Sequence, residues 1–300
     1  MITPAWMEVV GSHPLDLSDT RKWFSGRKLL VATKHAKENV MAEILENSLG
    51  VTCQAVEGLD TDLLGTFTGE RPRLEDPLSA ARKKCCLAMD MTGCDLVVAS
   101  EGSFGPHPDY FFLPADDELL VLIDKKNGIE VVARELSTDT NFNAAVVSSE
   151  DELRRFAEAC GFPSHGLILR KDPTDSSTIR KGMMDWEMLL HEFAVLLRKF
   201  NRVHVETDMR AHMNPKRMEV IRKATRRLAE KLASCCPSCC IPGFSVSEVV
   251  RGLPCESCDF PTGSPFAYLS KCQRCGHVLE KKYPHGKSTE DPMYCDRCNP

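Results

Sequence analysis

Ten of the chain's fifteen cysteines lie between Cys235 and Cys298, and eight of those ten form four C-x-x-C pairs. The pairs are Cys236/Cys239, Cys255/Cys258, Cys272/Cys275 and Cys295/Cys298. The first two are separated by fifteen residues and the last two by nineteen, which fits metal sites built from two such pairs about 15–20 residues apart. Two residues between ligands let one tight turn aim two thiolates at one ion, and a second turn completes a tetrahedron. The spacing therefore predicts two zinc ions. Both are expected to be structural, because four thiolates leave no coordination position for water or substrate. Pairing neighbours yields two consecutive ribbons. An interleaved, cross-braced pairing uses the same eight residues, and spacing does not choose between them. Cys235 and Cys240 flank the first knuckle, as spare thiols or as a replacement ligand.

A disulfide framework is the competing use of so many cysteines, and it requires an oxidising compartment. The opening residues, Met1 to Trp6, lack the basic-then-apolar pattern of a secretory leader, so a cytoplasmic protein is expected. No apolar run approaches the roughly 20 residues of a membrane span. The net charge of −5 excludes a general polycation, and the cysteine-rich segment is balanced, with seven basic and seven acidic residues. That balance favours a metal-stapled cap over a nucleic-acid clamp.

At 300 residues and 42% apolar, the chain has room for about two domains. Strand-like runs alternate with helical patterns upstream of the cysteines. Lys28–Thr33 reads as a buried strand, Ala36–Leu49 as a helix stopped by Gly50, and Val51–Val56 as a strand. Asp76 and Pro77 open a helix to about Met91, and Asp95–Ser100 is a strand running into a turn that begins at Glu101. Glu118–Asp124 and Ile129–Leu136 form a hairpin around Asn127-Gly128. Further helices cover Ser149–Cys160, Asp185–Phe200 and Pro215–Leu232, and strands cover Leu167–Leu169 and Val203–Glu206. The pattern predicts an α/β fold: a mixed central sheet flanked by helices, followed by a small zinc-ribbon module. Expected boundaries are an N-terminal extension over residues 1–27, the α/β domain over 28–234 and the double ribbon over 235–300.

Ligands of α/β sheets gather at the carboxyl ends of strands, where helix N-termini favour phosphate. Thr33, Lys34 and Lys37 stand between the first strand and its helix and suit an anion. Glu101 is expected at the mouth of its strand, where a carboxylate could hold Mg²⁺ against a phosphate. Glu70, in the polar loop Asp60–Arg73, is a second metal carboxylate. Asp208 and Arg210 follow another strand and offer acid–base and phosphate-clamp chemistry. The helix from Pro215 carries seven basic residues against Glu219 and Glu230, a patch able to follow a nucleic-acid backbone.

Two resemblances extend this reading. V-A-T-K-H-A-K at Val31–Lys37, T-F-T-G-E at Thr66–Glu70 and V-V-A-S-E-G-S-F-G at Val97–Gly105 are similar, in that order, to house-cleaning nucleoside triphosphate pyrophosphatases of the inosine-triphosphatase type. The resemblance implies a phosphate loop at Thr33 and Lys37 and a Mg²⁺ carboxylate at Glu101; His35 stands where that family has asparagine. Nearly the whole chain from about residue 28 resembles a bacterial family described only as a domain of unknown function, with C-terminal zinc ribbons. S-E-G-S-F-G-P-H-P at Ser100–Pro108, E-T-D-M-R-A-H-M-N-P at Glu206–Pro215 and the terminal C-x-x-C pairs carry that resemblance. The combined expectation is a protein that binds a phosphorylated small molecule or nucleotide with Mg²⁺. Glu101, Asp208 and Arg210 are its expected catalytic residues, and the reaction is hydrolysis of nucleoside triphosphates to monophosphate and pyrophosphate. The alternative is a non-catalytic nucleic-acid- or protein-binding protein using helix 215–232 and the ribbons.

Overall fold

A computed structural model describes residues 17–33, 36–56, 58 and 75–300. The described chain divides into two compact units, one within Phe24–Ala229 and one joining residues 17–23 with Glu230–Pro300. Helix α1 (Leu17–Phe24) leads into β1 (Lys28–Ala32). Gly26 and Gly50 lie beside each other, joined by a backbone hydrogen bond of 2.8 Å.

The first sheet of the larger unit is mixed. It comprises β1, β2 (Thr52–Ala55), β3 (Leu96–Pro106), β4 (Pro114–Asp124) and β5 (Ile129–Ser137), in the order β2-β1-β3-β4-β5. β1 runs parallel to both β2 and β3, while β3, β4 and β5 form an antiparallel meander. Helix α2 (Glu38–Leu49) ends where Gly50 adopts a left-handed φ of 70°, as its sequence position predicts. Helix α3 (Pro77–Thr92) starts with the Asp76 side chain accepting from the N–H groups of Leu78 and Ser79. Its apolar stripe of Ala81, Cys85 and Ala88 packs on Leu30, Ala32, Val97 and Ala99. Strand alternation then sends Val31, Val98 and Ser100 to the opposite face.

The second sheet is wholly antiparallel. It comprises β6 (Ala144–Val147), β7 (Leu167–Arg170), β8 (Arg180–Met183) and β9 (Val203–Thr207), in the order β6-β9-β7-β8. Helices α4 (Glu150–Ala159) and α5 (Trp186–Phe200) cover one face, where Leu153, Phe156, Leu189 and Phe193 meet Leu167, Leu169, Val203 and Val205. Ser149 and Asp185 cap these helices as their sequence positions predict. The mixed central sheet with flanking helices is present, and this separate sheet is an addition to it. β6 and β8 escape the sequence reading because one is a short, half-exposed edge and the other reads R-K-G-M. Helix α6 (Pro215–Ala233) matches its predicted span.

β3 departs most from expectation. It does not stop at Ser100 but continues to Pro106, paired residue for residue with β4. Glu101 therefore sits inside a strand opposite Leu119, not at a strand mouth. The cause is the antiparallel partner, which supplies hydrogen bonds past the point where the parallel neighbour β1 ends.

Arg27, just before β1, donates to Asp124 at 2.5 and 2.8 Å and to Asp95 at 2.9 Å, tying β1 to the ends of β3 and β4. Burial acts to raise the Asp124 pKa, but the hydrogen bonds from Arg27 and Asn127 overcome it and leave this carboxyl below its usual value. A carboxyl held low when folded contributes stability above its unfolded pKa of about 4 and loses it as pH falls through the folded value. Arg27→Met is expected to cost about 3 kcal/mol at neutral pH in urea denaturation, because it leaves the buried Asp124 without its cation. The difference from the wild type should shrink as pH falls below about 4, through the lowered value at which Asp124 protonates in the folded wild type.

Candidate functional site

Where β1 ends, one face of the first sheet carries charge instead of core. Lys37, at the N-cap of α2, is 4% exposed and donates to Ser100 Oγ at 2.9 Å. Its Nζ lies 3.6 Å from Glu118 Oε2. Arg217 of α6 donates through Nε to Glu118 Oε1 at 2.6 Å, through Nη1 to the Met209 carbonyl, and lies over the Phe104 ring at 5.1 Å. Glu118 and Arg217 are both wholly buried. Glycine is required at 102, since a Cβ there would stand 2.3 Å from Glu118 Oε1 and 2.6 Å from Arg217.

Two positions along β4 on the same face lies Asp116, 1% exposed, with neither carboxylate oxygen hydrogen-bonded. Thr33 Oγ1 is likewise buried without a hydrogen-bond partner. On the opposite face Glu101 is held by Lys84 of α3. Burial and the neighbouring Glu118 push Asp116 up to about 8, against the pull of Arg217 and Lys37. Burial acts to raise Glu118 too, yet Arg217 and Lys37 outweigh it and keep Glu118 ionised below the usual range. Lys37 is pushed down to about 8 by burial, with Arg217 and Lys84 adding to the fall and Glu118 and Glu101 opposing it.

The structure brings together only some of the residues expected from sequence. Lys37 lies in the cluster. Glu101 acts on Lys37 electrostatically, yet its side chain is on the other face, as alternation along β3 dictates. Lys34 and Glu70 lie outside the described residues. Asp208, after β9, is fully buried, accepts from the Gly182 N–H at 3.2 Å and pairs with Arg210 at 2.5 Å. These contacts fix Arg210 beside β8 and do not join it to Lys37 or Glu118. Sequence reasoning missed Ser100, Asp116, Glu118 and Arg217. Its available signal was P-A-D-D-E-L-L-V, where the alternation of a half-buried strand places Asp116 and Glu118 in register with the inward Leu120 and Leu122.

The basic helix is mostly committed internally. Beyond Arg217, Lys216 pairs with Asp139, Arg222 with Glu219, and Arg227 with Glu135.

In the smaller unit the eight cysteines form two tetrads, Cys236/Cys239/Cys272/Cys275 and Cys255/Cys258/Cys295/Cys298. The pairing is interleaved. Neighbouring sulfurs stand 3.4–3.9 Å apart. Bonds of about 2.3 Å to a tetrahedral zinc require sulfur–sulfur edges of about 3.8 Å, so the thiolates fit zinc ribbons. All four knuckles repeat one turn, in which the residue after the second cysteine donates its N–H to the first cysteine's carbonyl at 2.8–3.1 Å. Cys240 fills that turn position with a left-handed φ of 57°, as do Asp259 and Gly276 in theirs. Neither Cys235 nor Cys240 joins a tetrad. Among the described residues these tetrads are the two places where three or more metal-ligating side chains converge, so Mg²⁺ has no comparable cage.

Comparison with known proteins identifies a family described as "Domain of unknown function (DUF6671)", matched over residues 84–300. No curated protein matches. A solved structure, that of protein VC0702 from Vibrio cholerae, is similar over 67% of this chain and 92% of its own, at 12% identity and a TM-score of 0.32. So loose a likeness carries no argument. None of these matches supports the resemblance of Val31–Gly105 to inosine-triphosphatase-type enzymes. Among the described residues no helix is long and apolar enough to cross a membrane.

The interleaved pairing predicts which substitutions release which ion. Cys236→Ser with Cys275→Ser should remove one metal ion per chain, whereas Cys236→Ser with Cys258→Ser should remove two, by elemental analysis of purified protein. Chelation should unfold the smaller unit, because its metal bonds are folding energy.

Proposed function

Because the chain belongs to the DUF6671 family, whose description assigns no activity, we propose a function from its own residues: the α/β unit binds a phosphorylated small molecule, foremost a nucleotide, and hydrolyses a phosphoanhydride in it. The observation that carries this reading is Lys37. A lysine 4% exposed stands at the start of α2, which has no side-chain cap, and two further cations, Arg217 and Lys84, add to the field around it. The positive end of the helix dipole favours an anion there. With Asp116 protonated, Lys37 and Arg217 face the single negative charge of Glu118, and the surplus of positive charge suits a phosphate.

Thr33 Oγ1 and Lys37 would contact the phosphates, joined by Lys34. Mg²⁺ is bound elsewhere in biology by one or two carboxylates plus the ligand's own phosphates. Glu101, expected as one such carboxylate, lies on the opposite face of the sheet paired with Lys84 and does not face that phosphate, which leaves Glu70 as the carboxylate proposed for the metal. Arg210, oriented by Asp208, is not required for this binding step. In the smaller unit zinc is assigned to both tetrads as a structural ion. A cytoplasmic setting accords with eight cysteines that converge as metal-ligand tetrads and not as disulfides.

The alternative, a nucleic-acid-binding protein acting through α6, is disfavoured by the internal pairing of Lys216, Arg217, Arg222 and Arg227. Titrating purified protein with inorganic tripolyphosphate and with nucleoside triphosphates, with and without Mg²⁺, separates the readings. Binding with phosphate or pyrophosphate release is expected. Lys37→Met should weaken binding about tenfold or more, the loss of a charge-assisted contact. Absence of binding and turnover in the wild type, together with salt-sensitive binding of DNA or RNA lost on neutralising Lys223 and Arg226, would decide for the alternative.

A further inference from the structure

We propose that Asp116 is a proton-bearing ligand contact: it meets a phosphate-class anion as a neutral carboxylic acid, donating its O–H to a ligand oxygen beside the Lys37–Glu118–Arg217 cluster. This rests on the phosphate-binding reading above and assigns to Asp116 a role that reading does not use.

Geometry is the first warrant. Asp116 and Glu118 project from one face of β4, both out of solvent, yet only Glu118 has its charge answered. Both oxygens of Asp116 lack a hydrogen-bond partner, and a buried carboxyl without partners is costly unless it is uncharged or completed by a ligand. The groups facing it have different affinities for a proton. From its own strand comes Glu118 on the same face, with Asp117 acting on it from the other; opposite are Phe104 of β3 and Ser137 of β5. Glu135 follows on the same face of β5, paired with Arg227 of α6, while Arg217 of α6 and Lys37 at the start of α2 complete the surroundings. Arg217 and Lys37 are already engaged by Glu118, so they stabilise that anion more than a second one two residues away.

Environments that drive two adjacent carboxyls in opposite directions separate a proton carrier from a permanent anion. Here Asp116 titrates at about 8 while Glu118 stays ionised. An ionised Asp116 would repel a phosphate; a protonated one donates to it. No bond in the ligand has to break for this, and above about pH 8 the proton comes from solvent as the ligand binds.

Inorganic tripolyphosphate is the probe, followed calorimetrically in buffers of different ionisation enthalpy so that protons taken up on binding are counted. Relative to Asp116→Asn, in which the protons of the tripolyphosphate itself cancel, the wild type is expected to show no extra exchange below about pH 7 and extra uptake at about pH 9. Lys37 contributes uptake in both proteins, since it too titrates at about 8. Asp116→Asn keeps a donor but cannot titrate. It should bind within a few-fold of the wild type at neutral pH and show less uptake at high pH. Asp116→Ala should lose about tenfold in affinity. Independently of any ligand, the infrared difference between wild type and Asp116→Asn should contain a protonated-carboxyl stretch at about pH 7 that fades above about pH 8.

Equal proton counts in wild type and Asp116→Asn, or a missing carboxyl stretch at neutral pH, would overturn the assignment while leaving phosphate binding standing. Proton release that appears only with Mg²⁺ would make Asp116 a metal ligand instead and also overturn it. A wild type that binds no tripolyphosphate removes both the assignment and the reading beneath it.

Discussion

A carboxylate cut off from water has to be answered by positive charge, and Glu118 is answered by two groups from distant parts of the chain. Arg217 reaches it from α6, and Lys37 from the start of α2. Removing one partner of such a pair costs about 3–5 kcal/mol, because the other charge stays buried. The pair therefore determines much around it. It holds α6 against the charged face of the first sheet, demands glycine at 102, and leaves Asp116 as the one acid of the strand whose charge is unanswered. It also explains why Arg217, on a helix that reads as a nucleic-acid patch, is spent internally.

The smaller unit obeys a different constraint, one of parity. Strands β10 (Val246–Arg251), β11 (Pro265–Lys271) and β12 (Val278–Lys282) form an antiparallel meander in that order. Each strand carries the chain to the other end of the sheet. The first and third knuckles thus meet at one end, the second and fourth at the other. Consecutive pairing would require two knuckles joined by a strand to share an ion. β12 is exposed along its whole length, so this sheet has little core, and metal bonds supply what burial does not.

Local signals were legible wherever local chemistry decides. Asp76, Ser149 and Asp185 announce helix starts, Gly50 announces a stop, and the Asn127-Gly128 turn joins β4 to β5 with a left-handed φ of 64° at the glycine. The tetrad ligands were equally plain. The candidate site was less so. Lys37 was recognised from its place after β1, but Glu101 was assigned to a strand end that β4 abolishes by pairing onward.

The sequence alone determined the elements, the eight thiolate ligands and the chemistry they suit, because caps, turns and C-x-x-C knuckles act over three or four residues. The tertiary structure decided which knuckles share an ion and which acids share a face with Lys37. Both depend on strand pairing, which sets the direction of each strand and, through its twofold alternation, the side on which every residue falls. A shift of one residue would have exchanged Glu101 for Ser100 and Asp117 for Asp116. Register, which no local signal encodes, is what made this cluster.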